Sequence, residues 1–116
     1  ALLRAYKLQK RAARVGFDWP DIDGAKAKFA EEMDELAEEV QRGDLARIEE
    51  EFGDALFALV NIGRFLNVDP EKALRETNEK FVRRFEFIEA ELAKDGKKPE
   101  DVNLDEMEAL WVKAKG

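Results

Sequence analysis

Glu49-Glu50-Glu51-Phe52-Gly53-Asp54-Ala55-Leu56-Phe57-Ala58-Leu59-Val60-Asn61-Ile62 passes from an acidic run into an apolar one with no proline and no strand-like alternation. After Asp54 the segment is apolar nearly all round. A helix of that kind must be covered on most sides, at the centre of a bundle or against a partner subunit. Working outward, Asp44 caps this helix, which reaches about Asn67. Before it, a helix runs from about Gly24 to Gln41 and stops ahead of Gly43. Asp69 followed by Pro70 is an N-cap with proline at the first helical position, opening a helix to about Lys94. At the chain's start, Leu2 to Arg14 is helical and Gly16 ends it as a left-handed residue. Phe17 to Gly24 forms a loop whose two aromatics pack. Asn103 with Glu106 forms a capping box for a short last helix through Trp111. The expected fold is all-α: four main helices and a short C-terminal one, bundle-like, in a single domain over 1–116. Too few helices are present to cover the apolar one, so a homodimer completes the bundle.

Composition removes whole classes of chemistry. The 116 residues include neither cysteine nor histidine. Disulfides, thiolate zinc sites, His-ligated haem and Ser-His-Asp triads are thereby excluded. Any metal must be held by oxygen, which suits a hard cation such as magnesium or manganese. With 27 acidic against 20 basic residues the net charge is -7, which opposes broad binding to nucleic acid or anionic membranes. No apolar run approaches the ~18 residues that span a bilayer. The start at Ala1 without a leader-like segment suggests a cytoplasmic protein from which this domain was excised.

The acids fall on helices at telling spacings. Residues on a helix advance by about 100° each. With Phe29, Met33, Leu36 and Val40 as the buried stripe of the second helix, Glu31, Asp34 and Glu38 point away. Glu32 and Glu35 flank the stripe on one side. With Ile48, Phe52 and Leu59 as the stripe of the third, Glu51 and Asp54 flank it in the same way. Each pair has i, i+3 spacing and projects from adjacent turns. Asp54 leads the apolar run on a line with Ala58 and Asn61, so a buried carboxylate in need of a cation or donor is expected there. Four carboxylates converging between two helices repel one another unless a divalent ion neutralises them. On the fourth helix, Leu74, Phe81, Phe85, Ile88 and Leu92 make the buried stripe. Lys80 and Arg84 lie one turn apart on its flank, where both reach one anionic group, and Arg83 turns outward. Asp21-Ile22-Asp23-Gly24 fails as a calcium loop, because the frame puts Trp19 at the first ligand position and Ala30 at the last.

Glu31-Glu32-x-x-Glu35 followed by Glu51-x-x-Asp54, in an all-helical chain, resembles the signature of the MazG nucleoside triphosphate pyrophosphohydrolases. The likeness covers nearly the whole chain. It extends to Leu8-Gln9-Lys10, to Ala13-x-x-Gly16-Phe17-Asp18-Trp19, to Lys80-Phe81 with Arg83-Arg84-Phe85, and to Met107-Glu108-Ala109-Leu110-Trp111. Within the family it is similar to the second of two tandem domains.

The resemblance implies magnesium-dependent hydrolysis of nucleoside triphosphates to monophosphates and pyrophosphate, with manganese as the alternative ion. By motif position it implies Glu32, Glu35, Glu51 and Asp54 as catalytic metal ligands, with Glu31 and Asn61 behind them. Lys28, Arg47 and Glu50 lie close to the nucleotide, Lys80 and Arg84 hold phosphates, and Trp111 lines the base or sugar. The residues themselves leave another reading open: a non-catalytic helical dimerisation module, or a regulatory domain that binds nucleotide without turnover.

Overall fold

Four polar side chains start four helices. In the computed structural model, which describes residues 1–116, Asp21 accepts from the Asp23 N–H at 2.9 Å, and Asp44 accepts from those of Ala46 and Arg47. Asp69 accepts from the N–H groups of Glu71 and Lys72, and Asn103 from that of Glu106. Each such cap contributes about 1 kcal/mol by satisfying donors that the helix leaves orphaned. The helices are α1 (Leu2–Arg14), α2 (Ile22–Arg42), α3 (Leu45–Phe65), α4 (Pro70–Lys94) and α5 (Leu104–Lys115), with a single 3-10 turn at Pro99–Asp101. No strand forms, and the fold class is all-α.

Three boundaries differ from the sequence reading, α3 ending at Phe65 rather than about Asn67. Asp21 rather than the glycine region starts α2, so the helix begins two residues before Gly24. The last helix continues past Trp111 to Lys115, because nothing after Trp111 breaks it. Gly43 takes φ 75° and closes α2 in the left-handed region, which a side chain would resist. Asp44 follows at once, so α2 and α3 form a tight helical hairpin.

The chain divides into two compact units, Ala1–Ala73 and Leu74–Gly116. In the first, α3 packs mainly along α2 and also against α1. The Gln9 side chain ties α1 to α3 by donating Nε2–H to the Phe57 carbonyl at 2.8 Å. Glu71 ties the chain's start down, accepting from the Leu2 and Leu3 N–H groups. In the second unit, Ile88 and Leu92 are buried. Phe81 stacks on Phe85 with ring centroids 6.1 Å apart and meets Trp111 at 5.5 Å.

The buried stripes of the hairpin are not those expected. On α2, Met33 and Val40 are exposed, and the covered line runs Ala25, Phe29, Glu32, Leu36, Glu39. On α3, Phe52 and Leu59 are exposed, and the covered line runs Ile48, Glu51, Ala55, Ala58, Ile62, Phe65. Both lines alternate steps of three and four residues, the spacing of two helices packed along a common seam. The correction has a physical basis. Ala55 and Ala58 are small enough to bring the helix backbones close, and the seam positions beside them hold carboxylates. The helix that reads as apolar all round also buries Val60, on the face opposite the seam, and keeps Phe52, Leu56, Phe57 and Leu59 half exposed within a single chain.

Candidate functional site

Glu32, Glu35 and Glu51 each offer a carboxylate oxygen, and these lie within 4.8 Å of one another across the α2–α3 seam. Glu32 is buried, while Glu35 and Glu51 are half-buried. One oxygen each of Glu32 and Glu51 is enclosed with no hydrogen-bond partner. The Lys28 ammonium holds the other Glu32 oxygen at 3.1 Å and Glu31 at 3.6 Å.

The electrostatics follow from that placement. Lys28, the nearest cation, holds the Glu32 carboxyl below its ordinary value, and Glu32 in turn raises the Lys28 ammonium. Burial raises Glu35, and the negative charge of Glu32 adds to it. Burial also raises Glu51, with Glu32, Glu35 and Asp54 adding to the effect, and its carboxyl is pushed up to about 7. One proton therefore stays in the cluster near neutral pH, shared between oxygens that otherwise repel. A cation of oxygen-ligand preference would take the place of that proton. The unpartnered oxygens, the mutual repulsion and an all-carboxylate donor set fit a hard divalent ion.

Asp54 is exposed and stands outside the group of three, although its charge is felt by Glu51. The expectation that it is buried fails, because its side of α3 is uncovered in one chain. An added Cβ at Gly53 would meet nothing within 4 Å, which gives that glycine no packing role here. Arg47 lies 3.8 Å from Asp44 and 3.9 Å from Glu39 rather than beside the three acids. Glu50 is exposed without an ion pair. Asn61 accepts from Arg64 Nε at 2.9 Å.

In the second unit, Lys80, Arg83, Arg84, Phe87 and Ala114 line a cavity of ≈ 280 Å³. The Arg84 guanidinium lies 5.2 Å over the Trp111 ring, an attraction of cation to π-face. Arg83, which the helical wheel turns outward, joins Lys80 and Arg84 at this cavity. Sequence reasoning also passed over Glu39, buried and paired with Arg42 at 2.9 Å. It missed Asp18, whose carboxyl the Arg64 guanidinium holds below the ordinary value. The seven-residue spacing of Ala25, Glu32 and Glu39 was the signal available for Glu39.

Comparison with known proteins bears on this arrangement. A family model described as "MazG nucleotide pyrophosphohydrolase domain" matches residues 23–87, the stretch containing all three clustered acids. The chain is 47% identical over 116 residues to a Thermotoga maritima protein named nucleoside triphosphate pyrophosphohydrolase/pyrophosphatase MazG. It covers 100% of this chain and 44% of that protein. An Escherichia coli K12 nucleoside triphosphate pyrophosphohydrolase is 45% identical, over 99% of this chain and 44% of its own length. A Bacillus subtilis protein, uncharacterized protein YabN, is 51% identical over 65 residues, 56% of this chain and 13% of its own length. The chain spans less than half the length of the first two relatives.

Proposed function

The chain belongs to the MazG nucleotide pyrophosphohydrolase domain family, and on that premise we propose that it hydrolyses nucleoside triphosphates to monophosphates and pyrophosphate with magnesium. The observation that carries the proposal is the seam cluster of Glu32, Glu35 and Glu51, with enclosed oxygens that lack partners. These three would hold the ion, with Asp54 beside them as the fourth carboxylate, and manganese would serve in its place. Bound there, the ion supplies Lewis acidity toward phosphoryl oxygens and lowers the pKa of water.

The chain's own residues supply the rest. Water attacks the α-phosphorus, the bond to the bridging oxygen of the β-phosphate breaks, and pyrophosphate leaves with that oxygen. With no histidine, the proton of the attacking water goes to a carboxylate. Glu35 or Glu32 is proposed for this, through a carboxylate oxygen that the ion would leave free. Lys28, fixed by Glu31 and Glu32, is proposed to sit near the nucleotide, as are Arg47 and Glu50. Glu31 supports Glu32 through Lys28, whereas Asn61 bonds to Arg64 rather than to an acid. In the second unit, Lys80 and Arg84 form an anion site suited to phosphate oxygens, with Trp111 held under Arg84 for the base or sugar.

A homodimer is part of the proposal, supported by the half-exposed Phe52, Leu56 and Leu59 on α3. A cytoplasmic setting is also part of it. No helix is long and apolar enough to cross a membrane.

An end-product assay tests the reading: the protein, magnesium and each common ribo- and deoxyribonucleoside triphosphate, resolved by anion-exchange chromatography. Monophosphate with pyrophosphate, absent with EDTA and in Glu51→Gln, is the expected result. Diphosphate with phosphate would overturn the mechanism. No turnover of any nucleotide would favour a binding or dimerisation module.

A further inference from the structure

In a chain of net charge -7, α1 holds five basic residues, Arg4, Lys7, Lys10, Arg11 and Arg14, and no acidic one. All five are exposed, and none is in an ion pair. The covered side of α1 holds Leu2, Ala5, Gln9, Ala12 and Ala13, so the cations face away from α3. Leu8 stands among them 47% exposed. Arg4, Leu8 and Arg11 follow one line of the helix in steps of four and three residues.

α4 carries the complement. Glu79, Val82, Glu86 and Glu89 are exposed and follow one line in steps of three, four and three. Val82 is 51% exposed, and the three acids are in no ion pair. This line lies on the other flank of the Phe81 to Leu92 stripe from Lys80 and Arg84. Its acids repeat the spacing of the arginines: Arg4, Arg11 and Arg14 stand to Glu79, Glu86 and Glu89 at one common offset of 75 residues. Two helices laid side by side in that register, running the same way, bring each arginine to a glutamate. Leu8 then meets Val82 between the first two pairs. Arg75, a cation on the acidic line, falls a turn beyond Arg4 and clear of it.

Within one chain this register is not met. Glu71, at the start of α4, accepts from the Leu2 and Leu3 N–H groups. That tie sets the start of α4 about six residues, or ~9 Å of helix, away from the register the charges require. The α4 of a second copy is free of the tie. Other occupants fit less well. The exposed acids Glu31, Asp34 and Glu38 on α2 have no large apolar side chain on their line to meet Leu8, and Glu31 is held by Lys28. A nucleic-acid backbone would use the arginines and leave Leu8 in water. A lipid surface would need the apolar side that α1 turns inward.

We propose that α1 of one copy docks along α4 of a second copy, with Arg4, Arg11 and Arg14 against Glu79, Glu86 and Glu89, and that a two-fold axis forms the contact twice. The inference rests on the homodimer reading and deepens it by naming a surface apart from the apolar face of α3. One exposed ion pair contributes little alone, but a row of them in a single register selects the partner and its orientation.

The test uses two charge reversals, Arg4→Glu with Arg11→Glu and Glu79→Lys with Glu86→Lys. Each is followed by sedimentation velocity over a concentration series, with circular dichroism as the folding control. At low salt either reversed protein is expected to raise the dimer dissociation constant on the order of 100-fold, because like charges then face one another. High salt narrows the difference. Mixing the two reversed proteins is expected to restore a dimer of parent affinity, since each copy meets its complement in the other. Pairing within one chain could not be rescued in this way. Should a reversal lose helicity, Arg4→Gln with Arg11→Gln replaces it, with an expected loss of about tenfold.

A dimer unchanged by either reversal, or not rescued by mixing, would overturn the contact. Loss of that same dimer in Leu56→Asp would then leave the homodimer reading standing on α3 alone. A protein that stays monomeric at every concentration would end both readings. A short DNA duplex bound by the parent but not by the α1 reversal, with the dimer unchanged, would assign α1 to a polyanion and overturn the pairing.

Discussion

The first unit places like charges inside a helix seam, whereas the second carries its charges on a helix flank, and the two arrangements respond differently to what binds them. Glu32, Glu35 and Glu51 are held on the hairpin of α2 and α3, where burial first and the neighbouring acids second push the Glu51 carboxyl up to about 7. Lys80, Arg83 and Arg84 fan out along one face of α4 around an open cavity, with one of them resting on Trp111. Repulsion within the acids is a standing cost that a cation removes, so their geometry is preset for a ligand of one charge and size. The basic side chains are long, separately solvated and adaptable, a suitable way to hold a flexible polyphosphate. Acids enclosed in a seam against bases around an open cavity is the contrast to break.

The largest expected effect comes from Glu51→Gln. Turnover falls on the order of 100-fold or more, since even groups one shell removed from a metal are worth up to that much. Helical circular dichroism is retained, and the metal-free variant melts no lower than the parent at pH 8, because a repelled charge has been removed. Lost helicity would make the acid structural and end the contrast.

Next is Arg84→Ala or Lys80→Ala, expected to raise KM about tenfold with little change in kcat, as for a lost charged hydrogen bond to the ground-state substrate. A steady-state titration with a nucleoside triphosphate measures it. An unchanged KM would remove that residue from phosphate binding.

A pH series sharpens the acidic side. The raised values of Glu51 and Glu35 mean that between pH 4.5 and about 7 the unfolded chain has released protons the folded chain still holds. Raising pH through that window therefore lowers the stability of the metal-free protein, and above about 7 the loss is complete. Lowered Glu32 acts in the opposite sense, but below 4.5. Thermal melts in EDTA are expected to decline across the window, and added magnesium to recover more at pH 8 than at pH 5. A flat profile in EDTA would mean the acids do not interact in solution.

Lys28→Met gives the smallest effect, a loss on the order of 1 kcal/mol, because its half-exposed ammonium is the partner of the buried Glu32 carboxylate, which takes up a proton once unpaired. Its clearer signature is a rise in the Glu32 titration midpoint by NMR, which would be absent were Lys28 mobile in solution.

The helices were legible because capping is local. Asp44, Asp69 and Asn103 announce their helices within three residues, and the structure starts α3, α4 and α5 behind them. The site was legible in part. The i, i+3 pairs were found by spacing, but the seam was drawn through Met33, Val40, Phe52 and Leu59, all of which are exposed. A helical wheel centres itself on apolar residues. Here Glu32, Glu39 and Glu51 occupy seam positions, so the wheel was turned by one residue and the acids were read as flanking. Gln9 was legible only as part of the segment Leu8-Gln9-Lys10 that carries the family resemblance, because an amide is ordinary on a helix until its neighbours enclose it.

By itself, the sequence determined an all-α chain, its helix boundaries to within a few residues, and an oxygen-only chemistry in the absence of cysteine and histidine. The tertiary structure decided which acids face one another. Whether a carboxylate is solvated depends on what the opposite helix places against it: Ala55 and Ala58 let α2 approach closely enough to trap Glu32 against Glu51, while Asp54, one turn away, remains in water.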